Sequence, residues 1–212
     1  HRDLHSFPTR RSSDLIESIG QIAFGAATRS TTELPPVNAD GAIEIPIDEL
    51  AYGESDLIGE GTFAFVFRAT CRGKSVAAKV PKVEKWTPED RKAVADEVAM
   101  LSRLVHPNIV LFLGVASSYE KGPIIISELM TTDLEHLIFD SNRDPIPIDT
   151  KLKLLRDAAA GCYWLHCLSI IHHDLKPANV LIDSHWNARI GDFGLSEFRK
   201  HGWEVDGIRG TT

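Results

Sequence analysis

About midway along the chain the apolar spacing changes from that of strands to that of a helix, and this switch narrows the architecture more than any single residue does. Between Tyr52 and Val80, "FAFVFRAT" and "KSVAAKV" are β-branched or aromatic with rough alternation. "CRGK" between them places Gly73 where a hairpin needs its turn, and "SDLIGEG" supplies a third strand. "TPEDRKAVADEVAMLSRLV" then predicts a helix with Thr87 as N-cap, Pro88 at the first helical position and acids in the first turn. Its Val94, Val98, Leu101 and Val105 recur at helical spacing, so one face is expected to be buried. "NIVLFLGVAS" and "GPIIISELM" are short apolar runs read as two more strands. Beyond them "DTKLKLLRDAAAGCYWLHCL" predicts a helix with Leu152, Leu155, Ala159, Cys162 and Leu165 along its buried stripe. Very short strands, "VLI" and "ARIGD", follow with polar loops between them, where function usually sits. The fold class is α+β, a small antiparallel sheet with one helix followed by a helical part.

The 212 residues, 43% apolar and 25% charged, suit one or two globular domains. A net charge of −7 creates no field that would hold a polyanion, so nucleic acid is not an expected partner. Cys71, Cys162 and Cys167 form no CxxC pair and cannot all pair with one another, which suits a reducing compartment and predicts a cytoplasmic protein. No apolar run approaches the roughly 18 residues of a membrane span. Residues 16–46, running through "GAATRSTTELPPVNADG", read as a linker or disordered segment, and "IEIPIDEL" introduces the folded part.

Several short stretches carry chemistry. In "IGEGTFAFVFRAT", Gly59 and Gly61 stand at a strand-to-strand bend, where backbone N–H groups can approach phosphates unobstructed, although two glycines also simply make a turn. One strand later, Lys79 ends "VAAK", and a lysine among core-facing apolar residues is costly without an anion. Glu97 on the following helix supplies one in a structural ion pair, and the glycine loop above adds the phosphate reading. In "HHDLKPANV", Asp174 and Asn179 are five residues apart across Pro177, and in "IGDFGLS" Asp192 precedes Phe193 and Gly194. Three oxygen-bearing side chains on two loops match the needs of magnesium with a nucleotide, which takes few ligands from protein and the rest from phosphates and water.

Taken in order, Gly59-x-Gly61-x-x-Ala64-x-Val66, Val76-Ala77-Ala78-Lys79, Glu97, His172-His173-Asp174-Leu175-Lys176-x-x-x-Asn179 and Asp192-Phe193-Gly194 resemble the eukaryotic protein kinase signature, over Tyr52 to Thr212. "IEIPIDEL" and "HPNIVLFLGV" look most like the tyrosine-kinase-like group that includes Raf-type and mixed-lineage kinases, and Lys176 in "DLKPAN" is the serine/threonine form of the loop. The resemblance implies a bilobal protein-kinase-like fold. A complete β-rich N-lobe and hinge would span 47–130, and a truncated helical C-lobe 131–212, ending in the activation segment. It implies ATP and Mg2+, and transfer of the γ-phosphate to Ser/Thr hydroxyls of protein substrates. Asp174 would orient the hydroxyl and accept its proton, Lys176 would steady the moving phosphoryl group, Lys79 paired with Glu97 would clamp the α- and β-phosphates, and Asn179 and Asp192 would hold the metal. The nucleotide would lie under the loop of Ile58, Gly59, Glu60, Gly61, Thr62, Phe63, Ala64, Phe65 and Val66. Ala77 would sit above adenine, Leu181 below and Ser127 behind, with Glu128 to Met130 as the hinge. Leu101, Phe112, His172 and Phe193 would form a stacked apolar column, a set that plain core packing equally explains.

The sequence departs from the family pattern at three places. Ala64 replaces the third loop glycine; a left-handed backbone there would cost about 1–2 kcal/mol. His173 stands where most members carry an Arg that binds a phosphate on the activation loop, and a neutral imidazole is a poor substitute for a permanent bidentate cation. Between Ser196 and Thr211, "EFRKHGWEVDGIRG" contains no hydroxyl, so receiver and signal are missing together and activation without mid-loop phosphorylation is expected. Finally, the chain stops at "GTT". From this the 212-residue piece is expected to expose the apolar side of its long helix, and to be inactive by itself. An alternative is a pseudokinase or nucleotide-binding scaffold acting by allosteric contact, against which the retention of Lys79, Asp174, Asn179 and Asp192 speaks. The opening "HRDLHSFPTRRSSDL" contains a second loop-like motif, but Pro8 occupies the position five residues after Asp3 where a metal-binding Asn is needed. Residues 1–15 resemble the translation of a short-read sequencing adapter.

Overall fold

The computed structural model describes residues 42–83, 86–118, 122–141 and 144–198. The adapter-like stretch, residues 16–41 of the expected linker and the hydroxyl-free run beyond Phe198 lie outside the described residues.

Strands β1 (Leu50–Ala51), β2 (Leu57–Glu60), β3 (Ala64–Cys71) and β4 (Lys74–Pro81) precede helix α1 (Pro88–Leu101), and β5 (Phe112–Ser118) and β6 (Gly122–Glu128) follow it. They form one antiparallel sheet in the order β1-β3-β4-β6-β5, with β2 also on β3. The β3–β4 hairpin closes through Arg72 and Gly73, both left-handed at φ 49° and 74°, the two-residue geometry that suits the twist of paired strands. Alternation along β3 buries Phe67, Ala69 and Cys71 on one face, against Val76, Ala78, Ile124 and Ile126. Helix α1 opens as its sequence predicts: Thr87 Oγ1 accepts from the Asp90 N–H at 3.1 Å, and the Asp90 carboxylate accepts from the Thr87 N–H at 3.0 Å. Val98 and Leu101 are buried and Val94 packs against the same core, but Val105 is 72% exposed. The helix ends at Leu101, and helical spacing has no meaning four residues later.

The folded part begins at the segment that "IEIPIDEL" marks, a few residues ahead of the expected N-lobe boundary at residue 47. Ala42 and Ile45 lie within the span read as linker, yet both are buried. The Ile45 N–H donates to the Val115 carbonyl at 2.8 Å and the Val115 N–H to the Ile43 carbonyl at 2.9 Å, a parallel bridge along the outer edge of β5. Gly114 makes this approach feasible: its φ is +152°, and a Cβ there would lie 2.5 Å from the Ile43 oxygen.

The second part holds β7 (Thr132–Asp133), α2 (Leu134–Phe139), α3 (Ile148–Cys167), β8 (Ile170–Ile171), β9 (Val180–Ile182), β10 (Ala188–Ile190) and β11 (Glu197–Phe198). Its strands make two small sheets, β10-β9-β7 and β11-β8. The buried stripe of α3 is Leu154, Asp157, Gly161 and Leu165, whereas Leu152, Leu155 and Ala159 are exposed. The expected stripe was therefore rotated, with only Leu165 fully on it. The reason is close approach. A Cβ on Gly161 would lie 2.5 Å from the Asn108 carbonyl oxygen and 2.9 Å from Ile190 Cγ1, so the glycine face alone fits against β10. One core runs through both parts, joining Val98 and Leu101 of α1 to Leu154 and Leu165 of α3, Ile190 and Phe193. Among the described residues no helix is long and apolar enough to cross a membrane.

Candidate active site

The site is built where the sheet meets the short strands. Lys79 stands on β4, opposite Val66 of β3 and Ile125 of β6. Its Nζ reaches Glu97 Oε1 of α1 at 2.7 Å and Asp192 Oδ1 at 3.0 Å. Burial alone would depress the ammonium, but the two carboxylates outweigh it and hold Lys79 above the ordinary lysine range. For Asp192, burial pushes the carboxyl up, and the Lys79 charge and hydrogen bond, with the Gly194 N–H, bring it below its ordinary value. Gly194 lies beside this pair; a Cβ there would stand in ordinary contact, 3.4 Å from Lys79 Nζ and 3.6 Å from Asp192 Oδ1.

Asp174 and Asn179 are drawn together by a 3₁₀ turn over Pro177–Asn179. The Asn179 amide nitrogen donates to the Asp174 carbonyl at 2.8 Å and to its Oδ2 at 3.1 Å. Lys176 Nζ lies 3.0 Å from the same Oδ2. The Gly191 N–H donates to the Asn179 carbonyl at 2.9 Å, tying the Asp192 loop to the Asp174 loop. His172 ties them a second time. Its Nε2 donates to the Gly191 carbonyl at 2.9 Å and its Nδ1 accepts from the Asp174 N–H, which requires a neutral ring. Burial lowers the His172 pKa in the same sense, more than the Gly191 hydrogen bond and neighbouring acids raise it. The ring packs against Phe193 at 5.1 Å between centroids. Leu101 and Phe193 are buried in one cluster, with Phe112 against it.

The expected nucleotide-facing residues divide. Val66, Ala77, Ser127, Glu128, Met130 and Leu181 are half-buried. Ala77 pairs with Ser127 across the sheet, and Leu181 Cδ1 lies 3.1 Å from where a Gly191 Cβ would stand. The β2–β3 hairpin carries Gly59 opposite Val66 and Glu60 opposite Phe65. The Gly61 N–H donates to the Ala64 carbonyl at 2.9 Å. Gly61, Thr62 and Phe63 form an exposed tip, and Ile58 is exposed beside them. Phe65 is a correction: it shares the pleat face of Phe67 and is 3% exposed within the sheet core, so its side chain is not offered to a ligand. Ala64 does not adopt a left-handed backbone, so the feared strain at the missing glycine does not arise.

One residue of this region escaped the sequence reading. Arg189 of β10 donates from Nη1 to Glu128 Oε1 at 2.7 Å, an oxygen that also accepts the Leu111 N–H at 2.7 Å. Arg189 Nη2 reaches Asp183 Oδ2 at 3.4 Å. The Asp183 carboxyl, which burial would raise, is held down at about 2 by bonds from Asn187, His185 and Arg189. An arginine alternating within a short apolar strand was the available signal, but nothing in the spacing named its partner.

A profile of the protein kinase domain matches residues 52–212. The chain belongs to the protein kinase family. Among its relatives, the chain is 42% identical over 172 residues to "Dual specificity protein kinase shkE" of Dictyostelium discoideum, covering 80% of this chain and 24% of that protein. It is 37% identical over 174 residues to "Dual specificity protein kinase shkA" of the same organism, covering 78% of this chain and 32% of that one. "Probable serine/threonine-protein kinase PBL21" of Arabidopsis thaliana is 31% identical over 175 residues, 76% of this chain and 45% of that protein. The kinase thus spans less than half the length of these curated relatives. Its bilobal arrangement, a curled sheet with α1 followed by a helical part, is that of the family.

Proposed function

We propose that this kinase transfers the γ-phosphate of Mg-ATP to serine and threonine hydroxyls of protein substrates, as a member of the tyrosine-kinase-like group acting in cytoplasmic signal transduction. The observation that carries the reading is the convergence of residues from distant stretches: Lys79 bonds Asp192, Asn179 bonds Asp174, and the Gly191 N–H, next to Asp192, ties the two pairs through the Asn179 carbonyl. Lys79, held by Glu97, clamps the α- and β-phosphates beneath the hairpin of Ile58 to Val66, with adenine between Val66, Ala77 and Leu181 and against Ser127 and the Glu128 to Met130 hinge. Asp174, fixed by Asn179 and Lys176, receives the substrate hydroxyl and takes its proton as the oxygen–phosphorus bond forms and the bond to the β-phosphate breaks; Lys176 steadies the moving group.

The donor chemistry fits magnesium. Asn179 spends its amide nitrogen on Asp174, which leaves the amide oxygen as its ligand atom, and Asp192 adds a carboxylate. Among the described residues no cluster of three or more His, Cys, Asp or Glu could hold a metal alone. A site of one amide and one carboxylate depends on phosphates and water for its remaining ligands, as magnesium sites commonly do. Magnesium supplies charge neutralisation across the phosphates when bound.

The kinase lobes are placed at 47–130 and 131–212, preceded by a linker over most of 16–46, and residues 1–15 are assigned to a translated adapter. Lys176 favours serine and threonine, whereas the Dictyostelium relatives carry dual-specificity names. Radiolabelled ATP, a mixed protein substrate and phosphoamino-acid analysis on the complete protein test both points. Phosphoserine and phosphothreonine are expected, with Asp174→Ala lowering transfer by roughly 10²–10⁴-fold while ATP binding persists. Phosphotyrosine in the wild-type product would make the enzyme dual-specific. Wild-type protein that binds ATP but transfers no faster than Asp174→Ala would establish the scaffold instead.

A further inference from the structure

We propose that His173 and Glu197 form a clasp that positions Asp174 by fastening the segment after Asp192 to the loop that carries the base. The clasp rests on the kinase reading of the site. Strands β8 and β11 pair over two residues each, Ile171 with Glu197 and Ile170 with Phe198. A ladder that short is not stable by itself. Its side-chain closure is the contact of His173 Nε2 with Glu197 Oε1 at 2.9 Å, made by an imidazole whose side chain is 7% exposed. A carboxylate oxygen only accepts, so Nε2 carries the hydrogen and donates it. Ser196 adds a bond from its hydroxyl to the His172 carbonyl at 3.2 Å, and its N–H bonds the Phe193 carbonyl at 2.9 Å.

His173 is held at φ +63° between β8 and Asp174. Such a backbone is uncommon for a residue with a side chain and persists only where its surroundings over-determine it. Here the kink turns one side chain toward Glu197 while its neighbour, Asp174, meets Asn179 and Lys176. Releasing Glu197 removes one constraint on that kink and loosens the exit strand behind Phe193 at the same time. His173 is therefore a positioning residue. The run from Glu197 to Gly210 has no hydroxyl to carry a phosphate, so a carboxylate already in the chain serves as the anchor.

Steady-state kinetics on the complete protein test the clasp, with wild type, His173→Ala, Glu197→Ala, the double variant and His173→Gln, whose side-chain amide can still donate to Glu197. Each alanine variant is expected to lower kcat roughly tenfold to a hundredfold, the value of a hydrogen bond to a charged group, with the KM for ATP within about twofold of wild type. The double variant should be no slower than either single one, and His173→Gln should recover most of the loss. Losses that multiply in the double variant, a glutamine as slow as alanine, or an effect confined to KM would each overturn the proposal. If His173→Ala does not fold, His173→Leu, which fills the buried space but cannot donate, completes the same cycle with Glu197→Ala and their double variant. A wild type without transfer would overturn the kinase reading and leave the clasp to hydrogen exchange: the Ile171 and Glu197 amides should exchange faster in Glu197→Ala, and unchanged rates would refute it.

Discussion

Lys79 and Arg189 pose the same physical problem, a cation inside a strand, and only one of them was solvable from sequence. For Lys79 the partner lies on the next helix and the glycine loop lies above, so Glu97 could be named. Arg189 meets Glu128 on a strand sixty-one residues earlier, which spacing cannot reveal. Phe65 failed differently: contiguity with the glycine loop suggested a ligand contact, but the pleat turns its ring into the core. The Asp183 cluster behind Arg189 makes a pH-dependent prediction. Its folded carboxyl lies at about 2 against an ordinary value of 3.8, so on acidification the unfolded chain binds the proton first. The stabilisation is complete above 3.8 and is lost as pH falls through about 2. Urea unfolding should therefore find Asp183→Asn less stable than wild type at neutral pH, with the gap closing across that acid interval. A gap independent of pH would contradict the assignment.

Elements were legible where a local signal sets their ends, and misread where tertiary contact sets their rotation. Thr87 and Asp90 mark the start of α1, and Arg72-Gly73 marks the hairpin, because capping and turn chemistry are local. Helix α3 carries apolar residues on two faces, so hydrophobicity did not choose between them; Gly161 against Asn108 and Ile190 did. The segment Ala42–Ile45, part of which "IEIPIDEL" marked as folded, fell on the wrong side of the boundary at 47 for a related reason. Its anchor is the backbone of Val115, received at a glycine far along the chain. Gly114→Ala should cost about 1–3 kcal/mol through backbone strain and displacement of the Ile43 carbonyl. Ile45→Ala, which opens the same strap from the core side, should cost about 2–5 kcal/mol. Because both changes release one contact, the double variant should cost less than the sum in denaturant unfolding. Strict additivity would show that the strap is not one unit.

At the scale of the whole molecule, the ordered motifs revealed the architecture and the gathering of the site, since each motif needs the others nearby to have any chemistry. They did not reveal what covers the exposed face of α3, where Ile148, Leu152, Leu155 and Tyr163 meet solvent among the described residues. The proposed function requires Lys79, Asp174, Asn179 and Asp192 to enclose one metal-bound nucleotide, whatever the substrate or activation state. ATP-induced thermal stabilisation, with magnesium and with chelator, for wild type and Asp192→Ala, measures that enclosure without any phosphate acceptor. Magnesium with ATP should raise the wild-type melting temperature, and the chelator or the Asp192 substitution should remove most of the rise. Stabilisation by ATP that is equal with and without magnesium, and unchanged in Asp192→Ala, would rule out a metal-bound nucleotide at these four residues.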